Sequence, residues 1–310
     1  YGRGGDQPTV TDCDLLLGYL DENSFLGGKM KLDREATIQA IKTRLAEPLG
    51  ISPEEAAWGV HETVTANMAQ AATIHAIERG LDATRFAMLP IGGAGPVHAC
   101  SMAKKIGITR MVCPAGAGVA SAIGMLAAAI SFELGRAAPC ELALLDFDHA
   151  ASLLNGMSDE ASALIISAGA EKNEVTQHFS VMMRYLGQGY EIEVPVTLEI
   201  IENKDREGVL ERFSEAYRER YGRSEDMPAE LLSWRLAVTG PRSTLGDTLG
   251  QQKHETKPTP VPRNHRPVWF DNGYVETPVY KRKDFAVGSH IDGPAIIEET
   301  ESTLVLPIGF

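Results

Sequence analysis

A glycine-rich stretch is the part of this sequence best suited to bind a ligand. Residues 86–98 read Phe-Ala-Met-Leu-Pro-Ile-Gly-Gly-Ala-Gly-Pro-Val-His. The apolar run from Phe86 to Ile91 predicts a short strand buried on both faces, and Pro96 suits the first turn of a helix that begins near Val97. A strand, a glycine turn and a helix N-terminus together expose backbone N–H groups that can bind a phosphate or the polar edge of a ring. A tight turn without a ligand is the alternative.

Other polar side chains are weaker candidates. Asp12 and Asp14 precede an apolar run and could contribute to a metal or phosphate site, but the favoured interpretation makes Asp12 a helix N-cap. His61-Glu62 begins like the zinc motif HExxH, but the position of the second histidine is Thr65, so no metal ligand is predicted in this chain. Asn67 lies inside a predicted helix and could face a ligand, and a solvated asparagine is the alternative.

Charge and cysteine usage narrow the class of protein. The formal net charge is −13, which argues against binding to nucleic acid or to an anionic membrane, while local N–H groups could still hold a phosphate. The four cysteines are scattered without a CxxC pair, so neither a zinc knuckle nor a disulfide framework is indicated. No stretch is long and apolar enough to span a bilayer. We therefore expect a cytoplasmic protein.

Helices and strands are predicted to alternate around the glycine stretch, which is typical of an α/β fold with a parallel sheet. Ligands of such sheets bind outside the carboxyl ends of the strands, where both glycine loops, 92–95 and 116–118, would lie. A capping box at Ser52 and Glu55 begins the longest helix. The predicted helices of this region are 34–45, 53–79, 97–105 and 119–132, and the predicted strands are 86–91 and 108–113.

The second half has a different character, and we infer an α+β region that closes in a small β-rich unit. The helical patterns cover 142–169 and 205–221, and strand patterns cover 175–196 and 231–239. Residues 251–267 carry four prolines and predict an exposed connector. The remainder, 268–310, predicts a small unit of short strands.

Six motifs spaced along nearly the whole chain closely resemble those of the hydantoinase A / 5-oxoprolinase family, which also holds subunits of acetone and acetophenone carboxylases. They occur in order as Tyr1-Gly-Arg-Gly-Gly-Asp-Gln-Pro-Thr-Val-Thr-Asp12, Phe25-Leu-Gly-Gly28, Gly92-Gly-Ala-Gly-Pro-Val-His-Ala99, Gly118-Val-Ala-Ser-Ala-Ile-Gly124, Met183-Arg-Tyr-Leu-Gly-Gln-Gly-Tyr-Glu191 and Asp292-Gly-Pro-Ala-Ile-Ile-Glu298.

The resemblance implies half of an actin-like ATPase core of the ribonuclease H-like type, with an α+β extension and a small β-rich C-terminal unit. The expected domains are an irregular N-terminal segment (1–34), the second nucleotide-binding lobe (35–140), an α+β domain (141–250), the connector (251–267) and the β-rich unit (268–310).

The resemblance also implies the use of ATP and Mg²⁺. The family pattern places its phosphate-binding Gly-Gly-Thr motifs upstream of a segment like Tyr1 to Asp6, so we expect a fragment whose Mg²⁺ ligands and catalytic residues lie upstream, and which alone is inactive. Within this chain the expected adenosine-binding residues are Gly92, Gly93, Ala94, Gly95, Pro96 and His98, with Asp12 and Asn67 as further candidates for lining the site.

Three functions follow as hypotheses. The leading one is a subunit of an ATP-dependent hydrolase of cyclic amides (hydantoin, 5-oxoproline or another lactam) that activates the carbonyl oxygen by phosphorylation. The alternatives are a subunit of an ATP-dependent ketone carboxylase and a non-catalytic assembly module with a vestigial nucleotide loop. Expected partners are the N-terminal half of the same polypeptide and a B-type hydantoinase subunit. Arg184, Gln188 and Tyr190 are expected to serve folding or a subunit contact.

Overall fold

A computed structural model describes residues 4–171, 174–241, 260–271 and 273–310. The chain forms two compact units, one of Tyr1–Met125 with Gln251–Phe310 and one of Leu126–Gly250. Each unit contains helices and one four-stranded sheet, so the protein is a mixed α/β protein with two sheets. Within the described ranges, no helix combines the length and the apolar character that crossing a membrane requires.

The helices are α1 Val10–Leu16, α2 Arg34–Ile41, α3 Glu47–Leu49, α4 Pro53–Glu78, α5 Gly95–Ile106, α6 Ala120–Ala127, α7 Phe147–Ser167, α8 Leu198–Glu202 and α9 Arg206–Tyr221. The strands are β1 Ser131–Glu141, β2 Thr176–Tyr185, β3 Ile192–Val196, β4 Ala229–Thr239, β5 Asn264–Phe270, β6 Gly273–Lys281, β7 Ala295–Glu298 and β8 Thr303–Leu306. The predicted helix 53–79 matches α4, which begins at the predicted capping box of Ser52 and Glu55.

In the first unit, α1 and the turn after it pack against the strands of the C-terminal sheet. The Trp269 N–H donates to the Leu17 carbonyl at 2.8 Å, and the Tyr19 hydroxyl donates to the Trp269 carbonyl at 2.9 Å. Gly18 has a φ of +81°, and a Cβ there would lie 2.3 Å from the carbonyl oxygen of Pro267, so only glycine fits. The N-terminal segment, predicted to be irregular, therefore contains a helix that belongs to a core.

The C-terminal strands share that core with the helices. The sheet order is β5-β6-β7-β8, with β6 and β7 parallel and the other neighbours antiparallel. Buried side chains of β5 to β8 form one cluster with residues of α1, α2, α4 and α5. Residues 268–310 thus pack with the first unit, whereas they were predicted as a separate small unit. Of the predicted connector, 251–259 lie outside the described residues, and β5 occupies 264–267.

The two predicted buried strands, 86–91 and 108–113, are not buried on both faces. They meet only through one parallel bridge, between Met88 and Met111. Their large apolar side chains at Phe86, Leu89 and Val112 are 52–59% exposed. The prediction of burial was wrong because, within the described residues, no further strand pairs with them.

The second unit is an antiparallel sheet of order β1-β4-β2-β3 with α7 and α9 packed on it. The predicted helices 142–169 and 205–221 correspond to α7 and α9. The predicted helix 119–132 ends as α6 at Ala127, because the following residues alternate in exposure and pair with β4 as β1. The unit therefore begins at Leu126, whereas the sequence placed the domain boundary after residue 140.

Two of the three polar residues expected to serve folding have partners inside this unit. Arg184 and Glu230 are cross-strand neighbours on β2 and β4 and form an ion pair of 2.7 Å. The Gln188 amide donates to the Tyr217 hydroxyl at 2.9 Å. Tyr190 is 84% exposed.

Candidate functional site

A cavity of about 230 Å³ lies in the first unit, beside the first glycine loop. The turn between β7 and β8 forms one wall, while Gly93, Ala94 and Val97 of the loop and α5 form another. Asp14 of α1 also lines it, and the remaining lining residues are Thr11, Leu20, Asp21, Ser24, Phe25 and Leu26.

The two glycine loops hold each other and the wall of the cavity in place. The Gly92 N–H donates to the Ala117 carbonyl at 2.8 Å, which links the first loop to the second. A Cβ at Gly93 would lie 3.2 Å from the Glu301 carbonyl oxygen, and one at Gly118 would lie 2.5 Å from it. Glycine at 118 therefore permits a close backbone approach between the second loop and the β7–β8 turn.

The Glu299 side chain connects the β7–β8 turn to the second glycine loop. Its carboxylate accepts hydrogen bonds from the Gly116 N–H at 3.1 Å and from the Ser302 hydroxyl at 3.1 Å. The Nε atom of Arg282 lies 4.0 Å from the same carboxylate. The bond from the Gly116 N–H to the Glu299 carboxylate joins positions 183 residues apart in sequence, and together these contacts fix one wall of the cavity.

The cavity is acidic. Asp14, Asp21, Glu298, Glu299 and Glu301 line it, and no lysine or arginine does so among the described residues. Carboxylates accept hydrogen bonds from ribose hydroxyls and from an amino group on a purine, but they repel a triphosphate unless cations accompany it. The lining can therefore accept hydrogen bonds from hydroxyl and amino groups, and it does not by itself suit a group of phosphates.

Arg266 does not line the cavity, but its positive charge compensates part of the negative charge of the lining residues Glu298 and Asp21. One guanidinium nitrogen lies 2.6 Å from Glu298 and 3.7 Å from Asp21. The other two donate to the Gly18 and Tyr19 carbonyls at 2.8 and 2.9 Å. The side chain thus connects the end of α1 to β7.

A buried polar cluster lies beneath the cavity and shares Asp14 with it. His61 Nδ1 is 2.8 Å from Asp14 Oδ1, and His98 Nε2 is 3.8 Å from Asp14 Oδ2. The Thr65 hydroxyl is 3.0 Å from His98 Nδ1. All four side chains are buried. We call Asp14, His61, Thr65 and His98 the buried histidine cluster.

Burial also determines the protonation of nearby groups. It is the main reason that the pKa of His98 is lowered; the adjacent His61 lowers it further, and Asp14 opposes the shift. Burial raises the pKa of the Cys13 and Cys100 thiols to about 12, with nearby negative charges adding to the effect. Both thiols are therefore protonated at neutral pH and unsuited to act as nucleophiles.

The predicted adenosine-binding residues divide into two groups. Gly93 and Ala94 line the cavity, with Gly92 and Gly95 beside them in the loop. Pro96 and His98 are buried, and His98 belongs to the buried histidine cluster and does not line the cavity.

Asp12 and Asn67, the other candidates, do not line the cavity. Asp12 was expected to be an N-cap, but the cap of α1 is Thr9, and Asp12 completes its capping box three residues later. Its second carboxylate oxygen accepts a hydrogen bond from the Thr37 hydroxyl at 2.9 Å. Asn67 is exposed on α4.

The sequence did not predict the buried histidine cluster, nor the acidic β7–β8 turn that carries Glu299 and Glu301. Asp14, His61 and His98 come from three helices and are separated by 47 and 37 positions, so no local spacing connects them. Their ligand atoms all lie within 4.8 Å of one another, which makes them the residues of the described structure that could hold a metal ion. Only the three-dimensional packing of α1, α4 and α5 reveals this.

Comparison with known proteins gives matches along nearly the whole chain. The model of the hydantoinase/oxoprolinase family matches residues 1–134, and that of the hydantoinase/oxoprolinase C-terminal domain matches residues 151–310. The alpha subunit of caprolactamase from Pseudomonas jessenii is 31% identical over 318 residues. That alignment covers 100% of this chain and 45% of the caprolactamase subunit, so the chain spans less than half the length of this relative.

Two solved structures are similar in fold. The nucleotide-free structure of acetone carboxylase, from work on ATP-dependent acetone carboxylation, matches with a TM-score of 0.74 and 26% identity, over 97% of this chain and 44% of that one. The ATP-dependent caprolactamase from Pseudomonas jessenii matches with a TM-score of 0.73 and 30% identity, over 100% and 45% of the two chains.

Proposed function

The chain belongs to the hydantoinase/oxoprolinase family, and on that premise we propose that it forms part of an ATP-dependent enzyme that hydrolyses a cyclic amide. The similarity to the caprolactamase subunit over the whole chain supports this reaction class. The observation that carries the proposal is the acidic cavity beside Gly93 and Ala94, whose carboxylates can accept hydrogen bonds from the hydroxyl and amino groups of an adenosine.

In this proposal the chain positions the nucleotide. The small residues of the loop allow the adenosine to approach the backbone closely. Carboxylates of the β7–β8 turn accept hydrogen bonds from its hydroxyl and amino groups. ATP supplies a phosphoryl group that activates the carbonyl oxygen of the amide. We assign the catalytic residues and the Mg²⁺ ligands to parts of the enzyme outside this chain.

The proposed partners follow from the same comparison. The caprolactamase relative is one subunit of an enzyme, and this chain covers less than half of it. We therefore propose that the chain works with an N-terminal half of the same polypeptide and with a second, B-type subunit. We also propose that this enzyme lies in the cytoplasm.

An ATP-dependent ketone carboxylase is the second candidate, because acetone carboxylase has a similar fold. The same cavity would serve either enzyme, since both need a bound nucleotide. The third candidate, an assembly module without catalytic activity, would not need a cavity with hydrogen-bonding groups beside the loop.

An assay of the complete protein with its partner subunit separates these candidates. The substrates are a lactam series, hydantoin, 5-oxoproline, acetone and acetophenone, each with and without ATP, and bicarbonate is added for the ketones. We expect ring opening of a cyclic amide that requires ATP. ATP-dependent carboxylation of a ketone would favour the second candidate, and the absence of any ATP-dependent reaction would favour the third.

A further inference from the structure

We propose that Asp14, His61 and His98 bind one divalent transition-metal ion of the zinc type. The three residues come from α1, α4 and α5, and each is at most 4% exposed. The proposal goes beyond the proposed function and does not depend on what occupies the cavity.

The spacing of the donor atoms suits such an ion. With metal–ligand bonds of about 2.0–2.1 Å, neighbouring ligands of a tetrahedral ion lie about 3.3 Å apart. The observed separations from the two Asp14 oxygens to the imidazole nitrogens, 2.8 and 3.8 Å, lie on either side of that value. All donor atoms lie within 4.8 Å of one another, so closing their separations by at most about 1.5 Å would complete the coordination.

The types of donor indicate the class of metal. Two imidazole nitrogens and one carboxylate oxygen are typical ligands of Zn²⁺ and related first-row ions, whereas Mg²⁺ and Ca²⁺ prefer oxygen ligands alone. Among the described residues, the ion-pair partners of Asp14 are these two histidines, and no lysine or arginine is paired with it. A buried carboxylate without a fixed positive partner favours a cation.

The surroundings hold the two imidazoles in place for binding. The Thr65 hydroxyl lies 3.0 Å from His98 Nδ1, which leaves His98 Nε2 directed at Asp14. The two imidazole rings stack with centroids 4.4 Å apart, and the Tyr19 ring packs edge-on against His61 at 4.9 Å. Hydrogen bonds to the second ring nitrogen are the usual way in which proteins orient a metal-binding histidine.

The site borders the cavity through Asp14, since His61, Thr65 and His98 do not line it. Asp14 lines the 230 Å³ cavity, and Val97, the neighbour of His98, lines it as well. Three protein ligands with a fourth position open to a cavity are the arrangement of reactive zinc sites, whereas structural zinc sites use four protein ligands. A water molecule or a ligand in the cavity could therefore occupy the fourth position.

Titration with Co²⁺ and Zn²⁺ tests the proposal on the full chain after removal of metals with a chelator. We expect one equivalent of Co²⁺ to bind with the visible absorption of a tetrahedral site, and Zn²⁺ to displace it. The Asp14→Asn and His98→Asn variants should lose this binding. Thr65→Val, which removes only the hydrogen bond to His98, should weaken it by about tenfold to a hundredfold.

A matched control uses another His–Asp pair of the chain. His290 and Asp292 lie 3.3 Å apart but are 85% and 89% exposed, so His290→Asn should leave the stoichiometry at one. Circular dichroism identifies any variant that fails to fold. If the Asp14 and His98 variants do not fold, the Co²⁺ affinity of Thr65→Val, the mildest change, tests the proposal. Two results would overturn the proposal and leave a hydrogen-bonded cluster only. The first is a wild-type chain that binds less than a tenth of an equivalent of Co²⁺. The second is unchanged Co²⁺ binding by folded Asp14→Asn and Thr65→Val variants.

Discussion

Arg266 shows how one side chain supports the wall of the candidate site. Its guanidinium makes a 2.6 Å ion pair with Glu298 and donates to two carbonyl groups after α1. The two paired side chains are only 14% and 11% exposed, so solvent screens the pair weakly. Removing the arginine would leave a nearly buried carboxylate and two carbonyls without their donor.

We expect Arg266→Ala to lower the free energy of unfolding by about 3–5 kcal/mol, the usual effect of removing one partner of a buried pair. Arg266→Lys should recover only part of that loss, because an ammonium cannot donate in three directions with the same geometry. Urea unfolding of the chain measures both effects.

The matched control for Arg266 is an arginine in an exposed pair. Arg235 lies 3.4 Å from Glu133, and the two side chains are 41% and 62% exposed. Its replacement by alanine should cost at most about 1 kcal/mol. Equal losses at positions 266 and 235 would show that the Arg266 contacts do not stabilise the fold.

At the scale of elements, the second glycine loop and the β7–β8 turn depend on close backbone contact. We expect Gly118→Ala to lower the free energy of unfolding by about 1–3 kcal/mol, because its Cβ would lie 2.5 Å from the Glu301 carbonyl oxygen. Thermal unfolding monitored by circular dichroism measures the change.

Gly124→Ala in α6 is the control for that substitution. A Cβ at Gly124 meets nothing within 4 Å, and alanine favours a helix over glycine by up to about 1 kcal/mol. This variant should therefore be neutral or more stable. A neutral Gly118→Ala would mean that the turn moves away at little cost, and that the wall of the cavity is less fixed than its contacts indicate.

The elements that the sequence predicted well are those whose signals are local. The capping box at Ser52 and the helical spacing after it predicted α4, and the residues from 205 to 221 predicted α9. Strand burial was predicted wrongly at Phe86–Ile91, because an apolar run shows that a segment can be covered but not whether a neighbour is present to cover it.

The candidate site was predictable only in part, for the same reason. The glycine loop has a local pattern, and Gly93 and Ala94 do line a cavity. The acidic turn 298–303 reaches that cavity from the far end of the chain, and the histidine cluster joins three helices. Such contacts depend on tertiary packing, and they produce no regular pattern of residues in the sequence.

At the scale of the whole molecule, the second unit is continuous in sequence and has its own core. Trp234, Tyr185 and Phe213 are at most 1% exposed within it. We expect residues 126–250, expressed alone, to unfold cooperatively in urea with a shift of Trp234 fluorescence. A broad, non-cooperative transition in urea, or circular dichroism that lacks helix and strand signals, would show that this unit needs the rest of the chain.

Calorimetric titration of ATP into the proposed full-length enzyme tests whether the acidic cavity binds the adenosine part of ATP. Ala94→Trp places a large side chain at the cavity, and Ala163→Trp makes the same change at an exposed position of α7 as a control. We predict that the unsubstituted enzyme and the Ala163→Trp variant bind ATP with the same affinity, and that folded Ala94→Trp binds it at least tenfold more weakly. Equal affinity in all three proteins, or no ATP binding by the unsubstituted enzyme, would contradict the assignment of this cavity to the adenosine part of ATP.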